Sequence, residues 1–286
     1  MQSVILTAAL SSVMLLAAVS CSRVAEVSDG RMQFNPTLPG AATRATDTSF
    51  EPSDAIGIYA VDEAKGTLEL SGNWANNAKG VYDGRNWDVS PVIYWNGESR
   101  FNVYAYYPYT PEVNSVEDFR FPLKQDQTGN GFTLSDFMWV QALSAGPGDG
   151  PVALHFTHRL SRIDVKLVKG EDYEGDLPED AVVKIHGTVP VALVDLKSGD
   201  VVKDPEAVVA SITAHRNASG DWSAIVVPQK LLSQVPLIEV IIKDVSYLVS
   251  SKFIFEAGVR HTVDVVLSNN PDKVVINVGG GIDEWN

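Results

Sequence analysis

The feature of this sequence that most constrains its fold is the alternation of apolar and polar residues with a period of two. In residues 162–167, Ile163, Val165 and Leu167 share one face and charged side chains occupy the other. Residues 101–107 repeat the pattern, with Phe, Val, Ala and Tyr on one face. This period is that of a half-buried β-strand, and no stretch shows a comparable helical period. The sequence therefore predicts an all-β fold of many short strands, arranged as sandwiches or barrels.

A flexible segment at residues 144–150 predicts a boundary between two domains. It contains only small residues, one proline and one aspartate, and strands rich in Val, Ile and Leu follow it. About 240 residues remain after the N-terminal segment, enough for two domains that each bury a core. We therefore expect two tandem β-sandwich domains, at residues 45–150 and 151–286. Residues 21–44 form a separate lead segment.

The first residues of the chain predict an export signal. Residues 1–20 carry no charge and are mostly apolar, and small residues lie directly before Cys21. The run is short for a membrane-spanning helix, which needs about 20 apolar residues. Cys21 is the only cysteine, so no disulfide framework is expected, and its thiol is the predicted lipidation site. A plain secretory signal followed by an unmodified cysteine is the alternative.

The lead segment contains one candidate strand. Met32, Gln33 and Phe34 are able to form it before Pro36 and Pro39 interrupt the run. Proline supplies no backbone N–H to a ladder, so the strand is expected to end there.

Net charge excludes two classes of partner. The chain has 22 Lys and Arg against 36 Asp and Glu, a formal net charge of −14. An acidic surface repels both nucleic acid phosphate and anionic lipid. The sequence thus excludes binding to DNA or RNA and electrostatic binding to a membrane, and leaves the predicted lipid anchor as the membrane contact.

No set of residues predicts catalysis, a metal site or a cofactor site. His155 and His158 are three residues apart on a predicted strand, so they point to opposite faces and cannot bind one ion. The segment from Asp126 resembles the start of a calcium loop, but Phe137 occupies the twelfth position, where a bidentate glutamate is required. The carboxylates of residues 171–180 are expected to be solvated turn residues. We expect no enzymatic activity.

Four tyrosines in or near residues 101–107 admit two interpretations: Tyr104, Tyr106, Tyr107 and Tyr109. As an exposed row they would form a platform on which sugar rings stack. As cross-strand neighbours they would pack inside a sheet. The sequence leaves both interpretations open.

Several short motifs follow one another along nearly the whole chain. They are FEPSDAIGIY at residues 50–59, IYW at 93–95, VYAYYP at 103–108, SDFM at 135–138, LHFTHRLSRI at 154–163, AIVVP at 224–228 and IDEW at 282–285. In this order they resemble the fimbrillin superfamily of Bacteroidales, whose members are the subunits of type V pili.

The resemblance implies two transthyretin-like β-sandwich domains and a structural function in adhesion. It implies export as an outer-membrane lipoprotein, trimming by an arginine-specific protease, and head-to-tail strand exchange with other fimbrial subunits in a cell-surface fimbrium. Arg44, between small and polar neighbours, is the predicted cleavage site, with Arg31 and Arg23 as alternatives. The sequence does not distinguish a stalk subunit from a tip or anchor subunit. A monomeric surface lipoprotein that binds host or bacterial glycans or proteins is the alternative function.

The C-terminal residues 273–286 are the candidate donor strand for such an exchange. Val274, Ile276 and Val278 alternate along one face, and Trp285 follows a run of three glycines that allows a hinge. An ordinary final strand of the second domain is the alternative.

Overall fold

The computed structural model describes residues 30–38 and 49–285, and nearly all of its regular structure is β-strand. The strands, in chain order, are β1 (Phe34–Thr37), β2 (Ala55–Asp62), β3 (Ala75–Tyr82), β4 (Trp87–Ser90), β5 (Phe101–Tyr107), β6 (Phe119–Pro122), β7 (Met138–Ala145), β8 (Val152–His155), β9 (Thr157–His158), β10 (Ser161–Lys169), β11 (Val182–Thr188), β12 (Val191–Val194), β13 (Val201–Lys203), β14 (Ala210–Thr213), β15 (His215–Arg216), β16 (Trp222–Val226), β17 (Gln229–Ile242), β18 (Val245–Phe255), β19 (Val259–Leu267) and β20 (Val275–Glu284). The helices are α1 (Gly131–Ser135) and a 3₁₀ turn (Pro271–Lys273). The predicted all-β fold is confirmed. Among the described residues, no helix is both long enough and apolar enough to span a membrane.

The first sandwich is built on a six-stranded sheet with the order β4-β3-β2-β5-β7-β9. Along β5, Phe101 and Val103 enter one core, and Tyr104 and Tyr106 enter another on the opposite face. The parallel pair β1-β8 closes the first of these cores. The alternation predicted for residues 101–107 is confirmed, and both faces of the strand are buried.

The second sandwich packs a five-stranded sheet, β15-β16-β10-β19-β20, against a four-stranded sheet, β14-β11-β17-β18. Ile163, Val165 and Leu167 of β10 enter this core, as their spacing predicts. Val183 and Ile185 of β11 meet them from the other sheet.

The polar face of β10 differs from the sequence-based expectation of a solvated surface. Arg162 is 7% exposed and Asp164 is 3% exposed. Asp164 accepts hydrogen bonds from Arg162 Nε at 2.8 Å, Arg260 Nε at 2.6 Å and Ser223 Oγ at 2.6 Å. The Arg162 guanidinium lies over the ring of Phe132. β10 is the central strand of its sheet and is covered on both sides, so these charges are compensated by one another rather than by water.

A third core lies between the two sandwiches. Phe119 and Phe121 of β6 share it with Ala192 and Val194 of β12, and β6, β12 and β13 form a three-stranded sheet. This sheet therefore combines one strand from the first half of the chain with two from the second.

The domain division at residue 150 remains a prediction, and strand pairing suggests where along the chain the first sandwich ends. β8 and β9 both follow residue 150, and they pair with β1 and β7 of the first sandwich. On pairing alone, the chain passes from the first sandwich to the second between β9 and β10.

Candidate subunit interface

The lead segment occupies a groove in the first sandwich, which we call the lead-strand groove. β1 runs parallel to β8, with Phe34 opposite Val152. Hydrogen bonds from Val152 N to Gln33 O (2.8 Å) and from Phe156 N to Thr37 O (3.0 Å) hold one side of the segment. The backbone of residues 93–95 holds the other.

That second side is held by two backbone hydrogen bonds. Met32 N donates to Ile93 O, and Trp95 N donates to Gly30 O, both at 2.8 Å. The lead segment is thus held by backbone hydrogen bonds on opposite edges in succession, to residues 93–95 at its start and to β8 along β1.

The side chains of the lead segment alternate between core and solvent. Met32 is 5% exposed, Pro36 is buried, and Phe34 and Leu38 are partly buried against the same core. Fully burying one apolar side chain of this size contributes about 1.5–3 kcal/mol. Met32 and Pro36 are buried and Phe34 and Leu38 partly so, and a short segment therefore contributes measurably to the stability of the first core.

The strand in the lead segment is placed differently from the prediction. It spans Phe34–Thr37 and includes Pro36, whereas the sequence predicted a strand of Met32 to Phe34 that ends before this proline. The carbonyls of Gln33 and Thr37 face β8, so odd-numbered residues bond to β8 and Pro36 faces away from it. The missing N–H of Pro36 therefore removes no bond from the β1-β8 ladder, which is how proline is tolerated in such strands.

The segment that joins β1 to the rest of the chain is residues 39–48. Arg44, the predicted cleavage site, lies in this segment and outside the described residues, as does the predicted lipidation site Cys21. Leu38 and Ser49, the described residues on either side, both line one cavity of about 240 Å³. Cleavage between them would leave β1 attached by non-covalent contacts alone.

The C-terminal strand β20 lies in the five-stranded sheet of the second sandwich. β20 pairs antiparallel with β19, and its glycines take part: Gly281 lies opposite Thr262, and an irregularity separates it from Val278. The glycine run therefore forms a bulge within a paired strand. Val274 packs against the core of the second sandwich.

Trp285 ends the described chain at the junction of the two sandwiches. It is 6% exposed, and its ring stacks on that of His158 with centroids 4.0 Å apart. Its backbone N–H donates to Gly258 O at 2.8 Å. Trp285 also lines the 240 Å³ cavity with Leu38. Of the predicted donor residues, the side chains of Ile276 and Val278 lie outside what the structure describes. Of the other two, Val274 packs on the second sandwich and Trp285 lies near the lead segment.

The two histidines lie on different strands, which corrects the prediction of a single strand. The chain leaves β8 at His155 and enters β9 after Phe156, so each histidine belongs to a different sheet. His155 bonds to Thr37 Oγ1 at 2.7 Å, whereas His158 Nδ1 bonds to Asp136 Oδ1 at 2.8 Å. Across residues 30–38 and 49–285, no three His, Cys, Asp or Glu side chains are placed to hold a metal ion.

The tyrosines do not form a surface platform. Tyr104, Tyr106 and Tyr107 are 7%, 1% and 4% exposed because each face of β5 is covered by a core. Burial raises the pKa of Tyr106 and Tyr107. It also raises the pKa of Tyr59, on the neighbouring strand β2, to about 12. Tyr109 is partly exposed, with the Lys79 ammonium group over its ring. The interpretation as an exposed sugar-binding row is therefore wrong, and the packing interpretation is confirmed for Tyr104, Tyr106 and Tyr107.

The Asp126 segment is a loop stabilised by its own side chains. Asp126 accepts from the backbone N–H of Thr128 at 3.0 Å and from its hydroxyl at 2.6 Å. The next residue, Gln127, is fully buried, and Phe137 lies in the core at the twelfth position. Packing and local hydrogen bonds account for these residues.

A family model described as fimbrillin-like matches residues 43–285. The chain belongs to the fimbrillin-like family. A Bacteroides ovatus protein with the provisional name fimbrium tip subunit Fim1C is 28% identical over 56% of this chain, and the match covers 34% of that protein. The chain thus spans about a third of the length of this curated relative.

Solved structures share the fold of this fimbrillin-like chain. A protein from Bacteroides ovatus, provisionally described as a cell adhesion protein, has a TM-score of 0.72 at 20% identity, with 90% of this chain and 98% of that chain covered. A second such protein, from Bacteroides uniformis, has a TM-score of 0.68 at 20% identity, with 91% and 99% covered. Family membership points to a structural subunit of a cell-surface fimbrium rather than to an enzyme.

Sequence reasoning missed most of the lead-strand groove. Leu38 and Val152 were not singled out, and Ile93 and Leu154 were named only within the family motifs, although Val152 and Leu154 show a two-residue period. That period was a usable signal for β8. Nothing local to the sequence indicated that β1 would pair with it in parallel, because the two strands are more than a hundred residues apart.

Proposed function

We propose that this chain is a subunit of a cell-surface fimbrium whose lead-strand groove accepts an extended segment of another subunit after cleavage at Arg44. The observation that carries the proposal is the backbone binding of residues 30–32 to residues 93–95 and of residues 33–37 to β8, with every second side chain directed to the core. Loss of this segment would leave backbone groups of β8 unpaired and an apolar core open. A donated strand restores both at once.

In this proposal, cleavage also changes the location of the subunit. Cys21 lies N-terminal to β1, so a lipid on this residue would leave with the lead segment. The precursor is then an outer-membrane lipoprotein, and the trimmed subunit belongs to the fimbrium. An arginine-specific protease and the other fimbrial subunits are its partners. Insertion of one subunit into the next does not close on itself, so it builds a fibre that supports adhesion.

The role of residues 273–286 as a donor strand remains a separate proposal. Donation requires β20 to separate from β19 and Trp285 to leave His158. Acceptance at the lead-strand groove requires only the loss of β1. The engaged position of β20 therefore favours the accepting role of this chain, which suits a tip subunit.

The proposal is tested by cleaving the purified chain with an arginine-specific protease, inactivating the protease, separating the released lead segment, and then binding a synthetic peptide of residues 30–38. N-terminal sequencing should identify Ala45 as the new first residue, and Arg44→Ala should block the cut while Arg31→Ala does not. The trimmed protein should bind the peptide and regain the melting temperature of the precursor. A matched peptide with serine at positions 32 and 34 should not bind.

Assembly provides the second measurement. Trimmed protein mixed with partner subunits should form fibres, and excess peptide should inhibit them by occupying the groove. Normal fibre assembly by Arg44→Ala, or fibres unaffected by saturating peptide, would contradict the accepting role. Deletion of residues 273–286 then separates the roles: a truncated protein that still accepts a strand but no longer extends the fibre supports donation by this segment.

A further inference from the structure

We infer that the loop between β2 and β3 forms a binding site for a neutral sugar unit of a glycan, with Trp74 as its stacking surface. The site lies in residues 62–74 and is separate from the buried tyrosines of β5. It goes beyond the proposed assembly function, because it concerns a glycan ligand that the subunit would bind whether or not it is assembled.

Trp74 is an exposed aromatic residue held in one orientation. The residue is 43% exposed, although large aromatic side chains are usually covered. Its indole N–H donates to Tyr94 O at 2.7 Å, and its ring packs against Phe101 with centroids 5.8 Å apart. The remaining ring surface faces solvent without rotational freedom, so binding a ligand there costs little side-chain entropy.

The loop that carries Trp74 is anchored at two further points. Leu68, in its middle, is fully buried in the core between the sandwiches. The Asn73 side chain closes the loop: Nδ2 donates to Glu69 O at 2.6 Å and to Asn76 Oδ1 at 2.8 Å, and Oδ1 accepts from Glu69 N at 3.1 Å. The loop is therefore a pre-organised surface.

Beside Trp74 the loop encloses a cavity of about 140 Å³. Its lining includes Lys65, Thr67, Glu69 and Ser71, all exposed. Their ammonium, hydroxyl and carboxylate groups provide both donors and acceptors at the edge of an aromatic face. Sugar hydroxyls need both kinds of partner, and the apolar C–H face of a pyranose packs on an aromatic ring.

The charges of this cavity favour a neutral ligand. Asp62 and Glu69 contribute two carboxylates to the lining, and Lys65 contributes one ammonium group. Lys197 lies outside the lining; it pairs with Glu117 at 2.7 Å and reaches Glu69 at 3.9 Å. No excess of positive charge is available for a sialic acid, a uronic acid or a phosphate. A neutral hexopyranose meets these conditions.

The test applies a printed array of neutral gluco-, manno- and galacto-oligosaccharides, with sialylated glycans and polyuronates, to the purified, uncleaved chain. The uncleaved chain keeps the result independent of strand exchange. Neutral hexopyranose oligosaccharides should bind, and calorimetry with the strongest of them should show at least about tenfold weaker binding for Trp74→Ala. Leu232→Ala, which removes another exposed apolar side chain on β17, should bind as the parent does.

Two further variants distinguish loss of glycan binding from loss of folding. Trp74→Phe keeps a ring on Phe101, and Thr67→Val removes one hydroxyl from the cavity wall; each should weaken binding at an unchanged melting temperature. Binding of acidic glycans alone, binding of no glycan on the array by the parent, or parental affinity in folded Trp74 and Thr67 variants would overturn the inference.

Discussion

His261 is a titratable side chain enclosed by the aromatic core of the second sandwich. It is 5% exposed, with the rings of Phe253 and Phe255 at centroid distances of 5.2 and 6.3 Å. Its Nε2 accepts from Glu256 N at 3.4 Å, a role available only to the neutral ring. Burial lowers the pKa of His261 because the charged form would lose its hydration.

We therefore predict that stability falls on acidification partly through His261. With a lowered folded pKa, the unfolded chain binds more protons between the usual histidine pKa, about 6.5, and the lowered value, so stability in that range rises with pH. Urea unfolding between pH 7 and 5 should show a shallower loss for His261→Gln than for the parent. His155→Gln, on an exposed histidine, should keep the parental slope; equal slopes for all three proteins would refute the prediction.

At the scale of the element, the two edges of β1 differ in whether a backbone N–H is needed for hydrogen bonding to β8. Odd-numbered residues bond to β8, and Pro36 faces the side where its missing N–H breaks no bond of that ladder. Position, rather than strand propensity, decides whether proline is tolerated here.

This asymmetry predicts opposite outcomes for two substitutions. Asn35→Pro places a proline where the N–H faces β8, so it removes a ladder bond worth about 1 kcal/mol and adds steric strain. After cleavage at Arg44, the lead segment of this variant should dissociate about fivefold faster or more. Asn35→Ala, the matched control at the same exposed position, keeps the backbone N–H and should keep the parental rate; native mass spectrometry over time measures both. Equal rates for the two variants would show that β1 does not use the register described.

At the scale of the whole molecule, the two sandwiches are joined by a common core and are not independent domains connected by a linker. The core between them combines residues of both halves, and Trp139 Nε1 of β7 donates to Leu196 O at 2.8 Å. Gln127 forms a two-bond link: Nε2 donates to Ile225 O at 2.8 Å, and Oε1 accepts from Ile225 N at 2.7 Å. The side-chain amide of Gln127 thus makes to β16 the two hydrogen bonds that the backbone of a neighbouring strand would make.

We predict that Gln127→Ala destabilises the whole chain rather than one half. It leaves the buried N–H and C=O of Ile225 without these partners, which costs about 2–4 kcal/mol in total. Urea unfolding should stay a single transition with a lower midpoint. Gln125→Ala, on an exposed glutamine two residues away, should leave the midpoint unchanged. Two separate transitions in the Gln127 variant would contradict the shared core.

Local patterns were sufficient for much of the fold. The two-residue period placed Ile163, Val165 and Leu167 in a core correctly, because adjacent side chains of a strand point to opposite faces in any sheet. The motif order identified the family that the family model, matching residues 43–285, then showed. The same local reasoning assigned Arg162 and Asp164 to solvent and left Tyr104 and Tyr106 undecided.

The sequence by itself determined the strand content, the inward face of each strong strand and the family, because these depend on residues close together in the chain. Tertiary structure alone decided what covers the second face of each strand. That depends on pairings between distant segments: β1 with β8, β6 with β12, and Gln127 with Ile225. The burial of Arg162 and Asp164 on β10, of the tyrosines of β5 and of Pro36 in the lead-strand groove depends on such long-range packing, and no local period encodes it.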